Sequence, residues 1–249
     1  MPISKNKIKF IKSLELKKFR KENKMFVAEG NKLIHDNIEF FECKTLIATQ
    51  EWFDANKNVN ASEVIVATKD ELSKASFLKT PQDVIGVFSI PEYSLNIDEL
   101  KNKLSIVLDT IQDPGNMGTI IRLADWFGIE NIICSNETTD CYSPKAIQAT
   151  MGAIARVKIH YTSLSRFLQD MKGCNIYGTF LEGSNIYDTE LSHNGLIVMG
   201  NEGNGINKDL YEYITHKLHI PNYPPERETS ESLNVAIATA IICSEFRRR

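Results

Sequence analysis

The sequence predicts an α/β protein built from two successive blocks. Two observations carry this reading. Apolar runs of strand length alternate with segments of helical periodicity along most of the chain. Between Pro91 and Lys103 the alternation stops, and Pro91, Ser94, Asn96 and several charges mark a linker that holds a helical turn. The expected division is a first block over residues 1–95, a linker over 96–103 and a second block over 104–249.

In the first block, Ile8 to Phe19 has the pattern of a basic amphipathic helix. Met25–Ala28 reads as a strand, followed by a helix from about Asn31. Thr45–Ala48, Val64–Ala67 and Ile85–Ser89 are further strands, with short helices at Glu51–Ala55 and Asp70–Lys74 between them. The second block opens on Ser105–Asp109, an apolar run ending in a polar residue, as buried parallel strands do. Asn131–Ser135, Asn175–Phe180, Leu196–Gly200 and Lys217–Ile220 repeat that form. Leu233 to Phe246 is a helix apolar on nearly every side, so both the sheet and a partner subunit are expected to cover it.

Composition excludes several classes. Hydrophobic residues make up 42% and charged residues 24% of 249, the balance of a globular protein. No apolar run approaches the roughly 20 residues of a membrane span. The lysine-rich start has no apolar block behind it, so no secretory signal is expected and the location is read as cytoplasmic. Five scattered cysteines without a Cys-x-x-Cys pair read as reduced thiols. His216 and His219 are too isolated for a metal site, and no metal is expected. Residues 1–32 carry ten basic and three acidic groups, a net +7, whereas the whole chain is −3. A basic end on an acidic body is an electrostatic footprint for RNA phosphates, with a solvated helix face as the plainer reading. Lys5, Lys7, Lys9, Lys12, Lys17, Lys18, Arg20 and Lys21 are the candidate RNA contacts.

Three loops of the second block follow strands, where open parallel sheets bind ligands. The first runs from Asp109 to Gly118. Pro114, Gly115 and Gly118 imply a tight turn, with Thr119 as the cap of a helix. That helix carries Ile120, Leu123, Ala124 and Phe127 on one stripe and Arg122 on the other side, placed to clamp a phosphate. The second loop, Met199 to Ile206, has three glycines that permit close backbone approach. It is neither G-x-G-x-x-G nor a P-loop, which argues against a nicotinamide or ATP enzyme. The third joins Ile220 to Val235, with Ser230 and Ser232 as capping-type residues. Asn234 lies in an apolar helix, where an amide needs a specific partner. A surface arginine, a bare turn and a structural hydrogen bond are the plain alternatives for these three loops.

Taken together and in this order, the loops resemble the signature motifs of the SpoU (TrmH-like) branch of the SPOUT methyltransferases. Asn116, Gly118 and Arg122 match Asn-x-Gly-x-x-x-Arg; Gly200 to Gly203 match Gly-Asn-Glu-Gly; Ser232 to Val235 match Ser-Leu-Asn-Val. Tyr142 to Gly152 is similar to the stretch that the family carries between its first two motifs. The resemblance implies a Rossmann-like parallel sheet with a C-terminal trefoil knot, S-adenosylmethionine as cofactor, a homodimer, and methyl transfer to a ribose 2′-hydroxyl of RNA. Phe26 to Leu33, behind the basic helix, is similar to the small α/β RNA-binding domain that some members carry, which favours ribosomal RNA over transfer RNA. The stretch Tyr223 to Glu228 makes the third loop longer than in many members.

By the same resemblance, Arg122, Asn116, Glu202, Ser232 and Asn234 are the catalytic candidates. Phe180, Leu181, Met199, Gly200, Asn201, Gly203, Ile220 and Leu233 are the expected cofactor contacts. The family places Arg122 at the reacting nucleotide as a base. A guanidinium is a poor proton acceptor, so gripping the adjacent phosphate is the physically easier role. The competing readings are a non-catalytic RNA-binding or ribosome-assembly protein, and a nucleotide-binding enzyme that matches the motifs by chance.

Overall fold

The structure, a computed structural model, describes residues 3–224, 227 and 232–248. In chain order the elements are α1 (Lys5–Ser13), α2 (Lys17–Asn23), β1 (Met25–Glu29), α3 (Asn31–Ile38), β2 (Cys43–Ala48), α4 (Gln50–Ala55), β3 (Val64–Val66), α5 (Lys69–Ala75), β4 (Val84–Ser89), α6 (Ile97–Leu100) and β5 (Leu104–Leu108). They continue with α7 (Pro114–Trp126), β6 (Asn131–Cys134), α8 (Pro144–Thr150), β7 (Lys158–Tyr161), α9 (Leu164–Asp170), β8 (Ile176–Asn185), β9 (Gly195–Met199), β10 (His216–His219) and α10 (Val235–Arg248). Among the described residues, no helix is long and apolar enough to cross a membrane.

The chain forms two units. The first comprises Met1–Glu92 together with Asp140–Arg156. Its sheet has the order β1-β4-β2-β3, antiparallel except for the β2–β3 pair. Ile11, Leu14, Ile47, Leu72, Ile85 and Val87 are closed from solvent in its core. The expected helix from Ile8 to Phe19 is two helices instead. The chain breaks after Ser13 because Leu14, fully buried, is drawn into the core and the Arg20 guanidinium caps the freed carbonyls of Leu14 and Glu15 at 2.7 and 2.6 Å. Arg20 is only 3% exposed and donates from Nε and Nη2 to Asp140 Oδ2 at 2.9 and 2.7 Å. It is therefore a buried structural ion pair and is corrected from the list of RNA contacts. Asp140 opens a segment in which Ser143 caps α8 and Tyr142 packs its ring 5.1 Å from that of Phe26.

The second unit comprises Tyr93–Thr139 and Val157–Arg249. Its six strands are all parallel, in the order β10-β8-β9-β5-β6-β7. Every residue of β5, β6 and β9 is buried, as central strands covered on both faces must be. One face packs on α9 through Leu164, Phe167 and Leu168. After β7 the chain returns past β5 to build β8 and β9 on its other side. The strand order thus reverses between β5 and β9, where such sheets open a crevice. Helices α7 and α10 pack on each other.

Three local readings differ from the sequence expectation. β7 was not anticipated, because Lys-Ile-His-Tyr is only four residues long and lacks the continuous apolar run of the buried strands. Helix α7 starts at Pro114, not at Thr119: Asp113 Oδ1 accepts the amides of Gly115 and Asn116 at 2.7 and 3.0 Å, and Pro114 supplies a preset φ at the first helical position. Asn234 precedes α10 and caps it, accepting from Ala236 N at 3.0 Å and Ile237 N at 3.3 Å. Ser230, and part of the lengthened loop ahead of it, lie outside the described residues.

Candidate active site

Three strands of the second unit deliver the three loops. β5 leads through Asp109 and Thr110 into α7, β9 leads into the glycine loop, and β10 leads toward α10. One chain of hydrogen bonds crosses all three. Asn234 Nδ2 donates to Asn116 Oδ1 at 3.0 Å, and Asn116 Nδ2 donates to Glu202 Oε1 at 3.0 Å. Because Asn234 Oδ1 is already committed to the amides of α10, its amino group must face Asn116. That in turn leaves the Asn116 amino group for Glu202. The direction of every bond is thus set by the helix cap.

The glycine loop is folded back on itself. Asn201 N donates to Gly205 O and Gly205 N donates to Asn201 O, both at 2.9 Å. Asn201 Oδ1 accepts from Gly203 N at 2.9 Å and Asn204 N at 3.0 Å, and its Nδ2 donates to Thr110 O at 2.8 Å. A Cβ on Gly200 would stand 2.2 Å from the carbonyl carbon of Gly205, so only glycine fits there. Strand β8 opens beside this loop. Its pairing with β10 jumps from Gly178↔Lys217 to Ser184↔Leu218, which leaves 179–183 as a bulge whose Phe180 and Leu181 line the cleft described next.

Between these parts lies a cleft of about 950 Å³. All eight expected cofactor contacts stand on its wall: Phe180, Leu181, Met199, Gly200, Asn201, Gly203, Ile220 and Leu233. Glu202 and Ser232 line it as well. Asn116 and Asn234 join it through Glu202 by the hydrogen bonds above. Arg122, also on α7, is exposed and is not among the residues that line the cleft. Lys217 stands over the rings of Phe180 and Tyr211 at 5.3 and 5.6 Å, on the same wall. Apolar walls, turned backbone amides and the carboxylates of Glu182 and Glu202 suit a ligand with an aromatic base and a cationic centre. The volume falls within the span of about 300–1,000 Å³ usual for small-molecule sites.

The basic candidates of the first unit separate into two groups. Lys5, Lys9, Lys17, Lys18 and Lys21 are exposed. Lys7 pairs with Glu63, while Lys12, also exposed, donates to Ser76 O and covers the Phe77 ring at 4.8 Å. Sequence reasoning missed Asp113 and Thr110. Asp-Pro at a helix start was a readable cap signal, whereas nothing local marks Thr110 for its positive φ of 59°.

Comparison with known proteins agrees with this geometry. A model of the SpoU rRNA methylase family matches residues 103–244, and one of the MRM3-like substrate binding domain matches residues 5–86. The chain is 28% identical over 245 residues to RlmP of Bacillus subtilis, a 23S rRNA (guanosine(2553)-2′-O)-methyltransferase, covering 97% of this chain and 96% of that protein. It is 30% identical over 204 residues to RlmB of Neisseria meningitidis, a 23S rRNA (guanosine-2′-O-)-methyltransferase, covering 78% and 79%. An AdoMet-bound rRNA methyltransferase from Sinorhizobium meliloti superposes with a TM-score of 0.87 at 31% identity, over 100% of this chain and 97% of that one. With a family match spanning more than half of its length and the family's three motifs joined around one cleft, the chain belongs to the SpoU rRNA methylase family.

Proposed function

We propose that this protein transfers the methyl group of S-adenosylmethionine to a ribose 2′-hydroxyl of ribosomal RNA, with a guanosine of 23S rRNA as the first candidate. The observation that carries the proposal is the Asn234–Asn116–Glu202 chain, which fixes three separated loops around a cleft lined by the expected donor contacts. The donor supplies a methyl already activated by its sulfonium, so that the C–S bond breaks as the O–C bond forms and the electron pair returns to sulfur. What remains for the chain is positioning. Arg122 grips the phosphate next to the reacting ribose and orients the hydroxyl, whose proton passes to that phosphate or to water. Glu202, held by Asn116, orders the glycine loop and places the ribose. Ser232 and Asn234 hold the third loop against the reacting groups.

The proposal extends to the first unit, with residues 1–95 presenting Lys5, Lys9, Lys17, Lys18 and Lys21 to RNA; the match over residues 5–86 supports it. It also includes the knotted C-terminal end, a cytoplasmic location and a homodimer. Exposed apolar side chains on two helices that pack together support the dimer: Trp126 of α7 is 83% exposed and Ile237 of α10 is 53% exposed. Light scattering should give twice the 28.2 kDa chain mass. The function is tested by mapping 2′-O-methyl sites in total RNA from a strain lacking the gene. One guanosine of 23S rRNA should lose its methyl group. A missing transfer-RNA methyl would redirect the substrate, and an unchanged map would contradict the proposal.

A further inference from the structure

We propose that Asp109 is a positioning residue of the donor site, an inference that rests on the methyl-transfer reading above. Asp109 directly follows β5 and is only 4% exposed. It touches the glycine loop from below: its Oδ2 accepts the amide of Asn207 at 2.6 Å. Its Oδ1 accepts from Thr110 Oγ1 at 3.0 Å, and its own amide donates to Met199 O at 2.9 Å, just ahead of the loop. One buried carboxylate therefore engages the loop's exit, while its backbone engages the loop's entry.

The next residue completes the clamp. Thr110 holds a φ of 59°, a conformation that a β-branched side chain avoids. Its amide donates to Ser135 Oγ at 3.0 Å and its carbonyl accepts Asn201 Nδ2 at 2.8 Å. The unusual turn aims that carbonyl at the loop. Asp109 thus holds the backbone on either side of 200–206, Thr110 holds the Asn201 side chain between them, and 200–206 form one wall of the cleft. Glu202 has a separate tie to Asn116, so slackening the exit should weaken donor binding and spare the transfer step.

The test uses two pairs of variants, with AdoMet titrated calorimetrically into each full-length protein and transfer rates measured on rRNA. Asp109→Asn keeps an acceptor for the Asn207 amide, and Asp109→Ala removes it. Asn207→Pro deletes the amide itself at a φ of −59° that proline adopts, and Asn207→Ala keeps the amide while removing the side-chain cap on Asp209. Asp109→Ala and Asn207→Pro should raise both Kd and KM for AdoMet at least tenfold, with kcat at saturation held within threefold. Asp109→Asn and Asn207→Ala should stay within threefold of wild type throughout. If either variant of one pair fails to fold, the other pair decides. Equal affinity in both members of a folded pair, or an equal fall in kcat without a change in KM, would overturn the positioning role. Absence of AdoMet binding to the wild type would instead overturn the methyl-transfer reading.

Discussion

Asn234 donates from Nδ2 to Oδ1 of Asn116 at 3.0 Å, although 118 positions separate them in sequence. The bond joins the start of α10 to the first turn of α7. It passes its direction on to Glu202, because an amide that accepts at one end must donate at the other. The relay requires Glu202 as an acceptor, and it fails if any of the three residues loses its polarity.

Asn116→Ala should lower methyl transfer at least tenfold while AdoMet affinity changes less than threefold. Asn116→Asp should be worse at neutral pH, because it sets a second carboxylate against Glu202 Oε1. Two carboxylates at that distance share a proton more readily as pH falls, so the aspartate variant should recover part of its rate in acid and the alanine variant should not. Initial rates across pH check both statements.

Gly200→Ala should abolish AdoMet binding, raising Kd at least a hundredfold by calorimetry. Its Cβ would fall 2.2 Å from Gly205 C and 2.3 Å from Ile206 N, both backbone atoms of the same closed loop. Gly203→Ala meets only Asn201 Oδ1 at 3.6 Å and should weaken binding far less.

Arg20→Ala should destabilise the protein by about 3–5 kcal/mol, since it leaves Asp140 unpaired beside uncapped carbonyls in a largely buried place. Thermal unfolding should fall by roughly 10 °C. Lys18→Glu and Lys21→Glu, at exposed positions, should leave the unfolding temperature nearly unchanged and reduce the salt dependence of RNA binding.

His160 introduces a dependence on pH. Burial, with Lys158 nearby, holds its pKa below the ordinary 6.5, and Nε2 lies 3.3 Å from Asn131 Oδ1. The unfolded chain therefore binds the proton first as pH falls. Stability present above pH 6.5 is lost through the window between 6.5 and the lower folded-state pKa. The wild-type unfolding temperature should decline more steeply from pH 7 to about pH 5 than that of His160→Gln.

The buried strands of the second unit were legible because parallel strands covered on both faces read as continuous apolar runs, and β5 and β9 are of that kind. The parts of the cleft wall at Gly200, Asn201, Gly203 and Leu233 were legible through the second and third motifs. The need of Asn234 for a partner followed from its apolar neighbours, though its place as a cap rather than inside the helix did not. What stayed hidden depends on distant partners. The break between α1 and α2 is stabilised by Arg20, whose orientation is set by Asp140, 120 positions away. The role of Asp109 needs Asn207, 98 positions on. Local pattern carries no record of either pairing.

In the proposed function one cleft binds the methyl donor while Arg122, outside its lining, holds the ribose-phosphate. The most direct measurement pairs AdoMet calorimetry with transfer of labelled methyl into 23S rRNA for wild type and Arg122→Ala. The variant should keep its AdoMet Kd within threefold and lose transfer at least a hundredfold. Undiminished transfer by the variant, or label recovered on a base and not on a 2′-oxygen, would contradict it.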